Sequence, residues 1–408
     1  FHGWRILAFA TLTAALTGPG QTVGVSVFID HIIEDLSLTR SQVSTAYLIG
    51  TMLGALSLPT VGRWVDRVGA RPAITAIGAG FAVALVAMSG VGGFVTLAIG
   101  FTFIRFLGQG SLSLASTVAV THWFERRRGL AIGIYATFTS MLMGLTPVGL
   151  NFMIESSTWR TAWIVAGVFI ALTVIPIGRF GIISYPADIG EVPDGHVEVA
   201  KQVDNPAPRV RSYTRGEAAR TWRFWVLLAG SASAGMLATA LNFHQISLLG
   251  EAGMSSGTAA LMFVPQVVGS SAAALLFGTL TDRMSARILV PLTMVFLAGS
   301  LVIASVVAPG WVVVAYAVCL GLAGGSTRSV TAALLPKWFG VRHIGSIQGL
   351  MTFAGVAASA LGPVAFSLGR DWLGDYSVTA LVWAALPAAV AIVAALTIRT
   401  PRSQARTT

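Results

Sequence analysis

Gly62-Arg63-Trp64-Val65-Asp66-Arg67-Val68-Gly69-Ala70-Arg71 is a short charged turn between two long apolar runs. It returns 216 positions later as Gly278-Thr279-Leu280-Thr281-Asp282-Arg283-Met284-Ser285-Ala286-Arg287. Both copies read glycine, three residues, aspartate, arginine, three residues, arginine. The echo extends outward: Trp123-Phe124 returns as Trp338-Phe339, Gly129 and Gly133 as Gly345 and Gly349, and Pro147 as Pro363. The chain is therefore doubled. Two parallel halves of about six apolar segments each form the pattern of a transporter whose solute site lies between the halves, near mid-membrane.

Composition agrees with a membrane setting. Of 408 residues, 55% are hydrophobic and 10% charged, where soluble domains carry roughly 25% charge. The 45 glycines suit helices that pack backbone to backbone in lipid. Cys319 is the single cysteine, which excludes a disulfide framework. The net charge of +10 would suit nucleic acid, but 21 of the 26 Lys/Arg fall at the termini or in alternate loops, and Arg40, Arg160 and Arg370 in the opposite ones. That alternation is the positive-inside pattern. It places both termini and the central loop in the cytoplasm, predicts a multi-pass protein of the inner (plasma) membrane, and argues against nucleic acid. The first apolar run is too long for a cleavable signal, and a few residues are expected to precede Phe1.

Twelve apolar runs are long enough to cross about 30 Å of hydrocarbon. They fall near 4 to 28, 42 to 64, 72 to 92, 95 to 120, 129 to 153, 159 to 182, 223 to 247, 257 to 280, 287 to 308, 310 to 336, 345 to 368 and 376 to 398. The expected organisation is an N-terminal six-helix bundle over 1–182, a cytoplasmic linker over 183–222 with a short surface helix at Arg215 to Arg220, a C-terminal six-helix bundle over 223–398, and a tail over 399–408. In the first run, Gly18-Pro19-Gly20-Gln21 predicts a break, because proline removes a backbone hydrogen bond. The break would turn Gln21 toward a solute. The first outer loop, with Asp30, His31, Glu34, Asp35 and Arg40, reads as a solvated rim.

These residues resemble the major facilitator superfamily, and the paired turns resemble its signature loops between helices 2 and 3 and between helices 8 and 9. The resemblance covers the whole chain. It implies an all-α membrane protein of twelve transmembrane helices in two pseudo-symmetric six-helix bundles, working by alternating access. Within that superfamily the chain is similar to monocarboxylate porters and oxalate/formate antiporters. The similarity rests on Gly3-Trp4-Arg5, on Trp123-Phe124 with Arg128-Gly129-Leu130-Ala131, on Arg220-Thr221 with Phe224-Trp225, and on His244 followed by Gly253. The helix 8 arginine that commonly holds the carboxylate in that group is replaced by Ala274, and the helix 11 lysine position falls near Gly355. The helix 5 glycine-proline motif of drug exporters reads Leu145-Thr146-Pro147 here.

Two arginines lie inside apolar runs. Arg328 stands ten residues before Trp338, about 15 Å along a helix and near mid-bilayer, where burial costs roughly 2.5 to 3.5 kcal/mol and marks function. It is the expected anchor for an anionic solute. Arg105 resembles the superfamily's helix 4 arginine linked to proton movement. His244, Asn242 and Gln21 complete the candidate substrate-binding set. Asp66, Arg67 and Arg71, with Asp282, Arg283 and Arg287, form the candidate conformational latch, in which Asp66 caps a helix or pairs with an arginine in one state only.

No acidic residue falls near a hydrocarbon centre, so proton symport would have to use His244 or the solute's own charge. The leading reading is a secondary transporter of a small organic anion of the monocarboxylate type. A metabolite or drug exporter is the alternative. A copper importer using Met236, His244, Met254, Met262 and Cys319 is a weaker one, since their spacing gives no compact ligand set. No nucleophile and base pair stands out, which argues against an enzyme. No cofactor is expected. A monomer is expected, with lipid around it.

Overall fold

The computed structural model describes residues 1–125, 127–195, 212–340 and 344–398. Every regular element described is helical, as a chain in hydrocarbon requires, because a helix satisfies its own backbone polar groups. Ten helices are long and apolar enough to cross a membrane, and twelve if each of two bent pairs is one span.

The first bent pair is α1 (Gly3–Ser26) with α2 (Ile29–Leu36), and the second lies within α3 (Arg40–Val68). There follow α4 (Ala70–Met88), α5 (Phe94–Trp123), α6 (Leu130–Ser156) and α7 (Trp159–Gly181). The short surface helix α8 (Arg215–Ala219) opens on a reciprocal cap between Thr214 and Glu217. After it come α9 (Trp222–Glu251), α10 (Ser256–Thr281), α11 (Ala286–Ser305), α12 (Trp311–Phe339), α13 (Ile347–Leu373) and α14 (Tyr376–Thr397).

By internal contact the chain divides into two units, Phe1–Val203 with Asn242–Val264, and Asp204–Leu241 with Pro265–Thr408. The repeat seen in the sequence is carried into three-dimensional contacts within each unit. Arg71 Nε donates to the Arg179 carbonyl at 2.9 Å, and Arg287 Nε donates to the Ala395 carbonyl at 2.8 Å. Donor and acceptor are both displaced by 216 residues between the two bonds. The last arginine of each charged turn thus ties the third spanning helix of its half to the sixth.

The two turns differ at their corners. Gly69 ends α3 at φ +85°, and an added Cβ would lie 2.6 Å from Ser184 Oγ. Ser285 holds the equivalent place at φ −73°, so only the first copy needs glycine there. Ser184 Oγ also accepts from Arg71 N at 3.0 Å.

The first outer loop is an exposed rim at Glu34 and Asp35 whose charges are partly paired. Arg40 Nη1 donates to Asp30 Oδ1 at 2.9 Å and to Ser247 Oγ at 2.6 Å. Arg160 reaches Asp35 at 2.7 Å and the Ser89 carbonyl at 2.6 Å. The few arginines on this side are therefore held by partners.

In the second unit, α12 packs on α10 at backbone contact. A Cβ at Gly321 would lie 2.0 Å from the Gln266 carbonyl oxygen, and one at Gly325 would lie 2.0 Å from that of Ser270. Glycines four apart allow this approach, which is how membrane helices gain packing without a hydrophobic drive. We expect Gly325→Val to lower the unfolding free energy by about 1–3 kcal/mol or more. Gly324→Ala should be silent, since its Cβ would meet nothing within 4 Å. Thermal unfolding followed by tryptophan fluorescence checks both.

Candidate functional site

The break expected in the first run is present and is built by Pro19. α1 runs regularly to Ala15, passes through a tight turn over Gly18–Gly20, and resumes at Thr22 after Gln21 takes an extended conformation. Gly20 is required by packing, because a Cβ there would lie 2.6 Å from the Ile104 carbonyl oxygen. The break therefore sits directly against α5.

At this contact α5 widens into a π-helical stretch over Arg105–Leu112. Ser111 Oγ donates to the Phe106 carbonyl five residues back, at 2.8 Å. Such wide turns concentrate at functional sites. The stretch turns Arg105 inward, where it is 3% exposed; it does not snorkel to an interface. Nε donates to Thr51 Oγ1 at 3.1 Å, and Nη1 donates to the Gly20 carbonyl at 3.3 Å. The guanidinium carbon lies 4.6 Å from the centre of the Tyr47 ring. The Tyr47 hydroxyl is 2.6 Å from Thr22 Oγ1.

Every one of these partners is neutral, and the buried Nη2 has none. Within the described spanning helices, acidic residues occur only near helix ends, as at Glu155, Glu251 and Asp371. Arg105 is thus a buried cation without a carboxylate.

Gln21 adjoins this group, half-buried, with its amide nitrogen donating to Thr17 Oγ1 at 3.0 Å. The stretch of α9 from Asn242 belongs to the same unit. Phe243 packs its ring 4.7 Å from that of Tyr47, and His244 beside it is fully buried. The structure therefore brings Arg105, Gln21, Asn242 and His244 into one unit. Thr22, Tyr47 and Thr51, which complete the group around Arg105, are missing from the sequence-derived set. The available signal was their polarity inside apolar runs.

Arg328 lies in the other unit, on α12. It is exposed, and its Nη2 donates to Ser270 Oγ of α10 at 2.6 Å. The next residue, Ser329, donates to the Ala274 carbonyl at 2.9 Å. Ala274 is the position at which the resemblance implies a carboxylate-binding arginine. Arg328 thus reaches over the very part of α10 from which that arginine is missing.

The latch residues are only partly engaged. Asp66 and Arg67 are exposed, and Asp66 makes no ion pair among the described residues. Arg71 is committed to Arg179, and Arg287 to Ala395. Arg283 is exposed, and the side chain of Asp282 lies outside the described residues. Among the described residues no three His, Cys, Asp or Glu side chains gather as a metal-binding group, and Cys319 Sγ donates to the Phe296 carbonyl at 3.1 Å.

The family profile of the Major Facilitator Superfamily matches residues 7–265 and 243–408. The chain belongs to the major facilitator superfamily. It is 31% identical over 181 residues to an MFS-type transporter of Mycobacterium tuberculosis, covering 43% of this chain and 39% of that protein. The chain thus aligns with about two fifths of the length of that relative. It is 25% identical over 396 residues to monocarboxylate transporter 11 of Mus musculus, covering 93% of this chain and 84% of that one. A bacterial homolog of the human lysosomal transporter Spinster, solved in an inward-facing and occupied conformation, shares the fold with a TM-score of 0.73 at 17% identity, over 98% of each chain. Family and relatives are transporters, not enzymes.

Arg105→Met removes the charge and keeps most of the length. Because an unpaired buried charge costs several kcal/mol, we expect thermal stability unchanged or raised. If Arg105 holds the solute, uptake should fall ~10-fold or more, since charged hydrogen bonds are worth about 1.5–3 kcal/mol. A clear loss of stability on thermal unfolding would make Arg105 a structural strut instead.

Proposed function

We propose that this major facilitator chain is a secondary transporter of a small organic anion of the monocarboxylate type, moved by alternating access of its two halves. The observation that carries the reading is Arg328, a guanidinium in the middle of a spanning helix, exposed, and hydrogen-bonded to a neutral serine. A mid-membrane cation facing lipid would be expensive, so such residues face a water-filled or ligand-filled space and mark the solute path. A planar guanidinium matches a carboxylate with two parallel hydrogen bonds. Arg105 supplies a second cation with a donor to spare. The full-length similarity to a monocarboxylate transporter at 25% identity points the same way.

Coupling is to protons in this reading. Among the described residues His244 is the one histidine well inside a spanning helix, and imidazole changes charge in the physiological range. Asp66 acts as a latch that gains a partner in the state opposite to this one. Arg328→Lys tests the solute reading, because lysine keeps the charge and loses the two-pronged geometry. In proteoliposomes energised by a pH gradient, KM for a monocarboxylate should rise ~10-fold or more. Unchanged kinetics would remove Arg328 from the site. For the latch, Asp66→Ala should shift cysteine accessibility toward the arginine-rich side, and an unaltered labelling pattern would count against it.

Export of an apolar metabolite or drug is the second reading. It is favoured by an apolar cavity of about 240 Å³ beside the α1 break, lined by Leu12, Leu16, Pro19, Leu142 and Phe169. Competition by lipophilic cations in place of small acids would select it.

A further inference from the structure

At the arginine-rich end of the second unit, a cavity of about 420 Å³ opens between the start of α9 and the ends of α12 and α14. Its walls include Tyr213, Thr221, Trp222, Arg223, Trp338 and Thr397. Arg223 is exposed, makes no ion pair among the described residues, and holds its guanidinium carbon 5.8 Å from the centre of the Trp338 ring. Trp222 is 56% exposed.

The repeat supplies a comparison for this place. Trp4-Arg5 at the start of α1 matches Trp222-Arg223 at a shift of 218, Trp123 matches Trp338 at 215, and Gly181 matches Thr397 at 216. In the first unit the chain fills the equivalent space with its own residues. Trp123 is wholly buried and donates its indole N–H to the Ile183 carbonyl at 3.0 Å. The Phe1 ring lies 5.9 Å from it, and Gly181 lies against the Phe9 ring. In the second unit, Trp338 is only half-buried, and among the described residues none fills the space beside it.

We propose that this cavity is a binding site for the phosphodiester headgroup of an anionic phospholipid. Two tryptophans at a helix end are at home at headgroup depth, where their rings are half wet and half apolar. Arg223 supplies the positive charge that complements a headgroup phosphate, and the Tyr213 phenol adds a polar group to the lining. Nearby Lys337 donates to the Thr281 carbonyl at 3.2 Å, and among the described residues that line the cavity Arg223 is the cation. The acyl chains would lie along the apolar outer faces of α9 and α14, where Trp225, Val393 and Leu396 are exposed. This site is independent of the solute and of the coupling ion.

The test uses the full chain in phosphatidylcholine nanodiscs to which phosphatidylglycerol is added, read by thermal unfolding and by native mass spectrometry of retained lipid. The wild type should gain stability with phosphatidylglycerol and keep it through desolvation. Arg223→Gln should need about fivefold more of the lipid for the same gain, the worth of one basic residue at an anionic surface, and Arg223→Lys should keep most of the response. Arg5→Gln, at the filled counterpart, should respond as the wild type does. Equal responses of Arg223→Gln and the wild type, or an equal loss in Arg5→Gln, would overturn the site. So would the same stabilisation by soluble glycerol phosphate, which would make it a site for free phosphate. A chain ending at Ile398 should retain the response, and its loss there would assign the cavity to residues 399–408.

Discussion

The cost of holding a guanidinium inside a membrane protein without a carboxylate governs this molecule. A paired arginine could be read as structural glue, since each charge would stabilise the other. Among the described residues Arg105 has no such partner: its contacts are two threonine hydroxyls, a backbone carbonyl and the face of a tyrosine, and one of its terminal nitrogens is left over. Neutral hydrogen bonds soften the burial of a charge and do not repay it. The broken first helix supplies one of those bonds, because the turn that Pro19 forces leaves the Gly20 carbonyl free to accept from Arg105. The π turn of α5 supplies the other requirement, by aiming the arginine inward. Break, widened turn and unpaired cation are therefore one construction.

Much of the fold was legible in the sequence because lipid enforces simple rules. Span length follows from hydrocarbon thickness, and the doubled charged turn announces two halves. The Pro19 break and the capping of α8 by Thr214 and Glu217 were readable for the same local reason, since each depends on residues within one turn. What the sequence hid was whatever depends on a distant neighbour. That Ser247 bonds the outer charges Asp30 and Arg40 could not be read from the sequence, because it lies more than 200 residues away. Which way Arg105 faces was likewise hidden, because no sequence rule announces a π turn that rotates it inward. Tyr47 and Thr51 were invisible as site residues because single polar residues are common in membrane helices and only their convergence on Arg105 distinguishes them.

The halves of a duplicated transporter need agree only where the scaffold must be the same. The Arg71 and Arg287 bonds to matching carbonyls are such a place, and there the repeat is kept to the residue. Where the halves diverge, the scaffold is free to specialise. Counted by the shift of 215 that aligns Trp123 with Trp338, the counterpart of Arg105 is Leu320 and the counterpart of Arg328 is Ser113. Each half thus carries one arginine in its fourth spanning helix, and the two positions are eight residues apart in the shared frame, about 12 Å of helix.

Under the proposed reading, Arg105 and Arg328 would each offer an anion a hold of moderate strength, since a charged hydrogen bond is worth about 1.5–3 kcal/mol. Arg328 is accessible while Arg105 is buried. Access to Arg105 would require α1, α3 and α5 to loosen around Gly20, Thr51 and the π turn. In that reading the binding energy at Arg105 would offset the opening of those contacts, and the Nη2 group, which makes no hydrogen bond among the described residues, would supply the new bond that couples solute to conformational change.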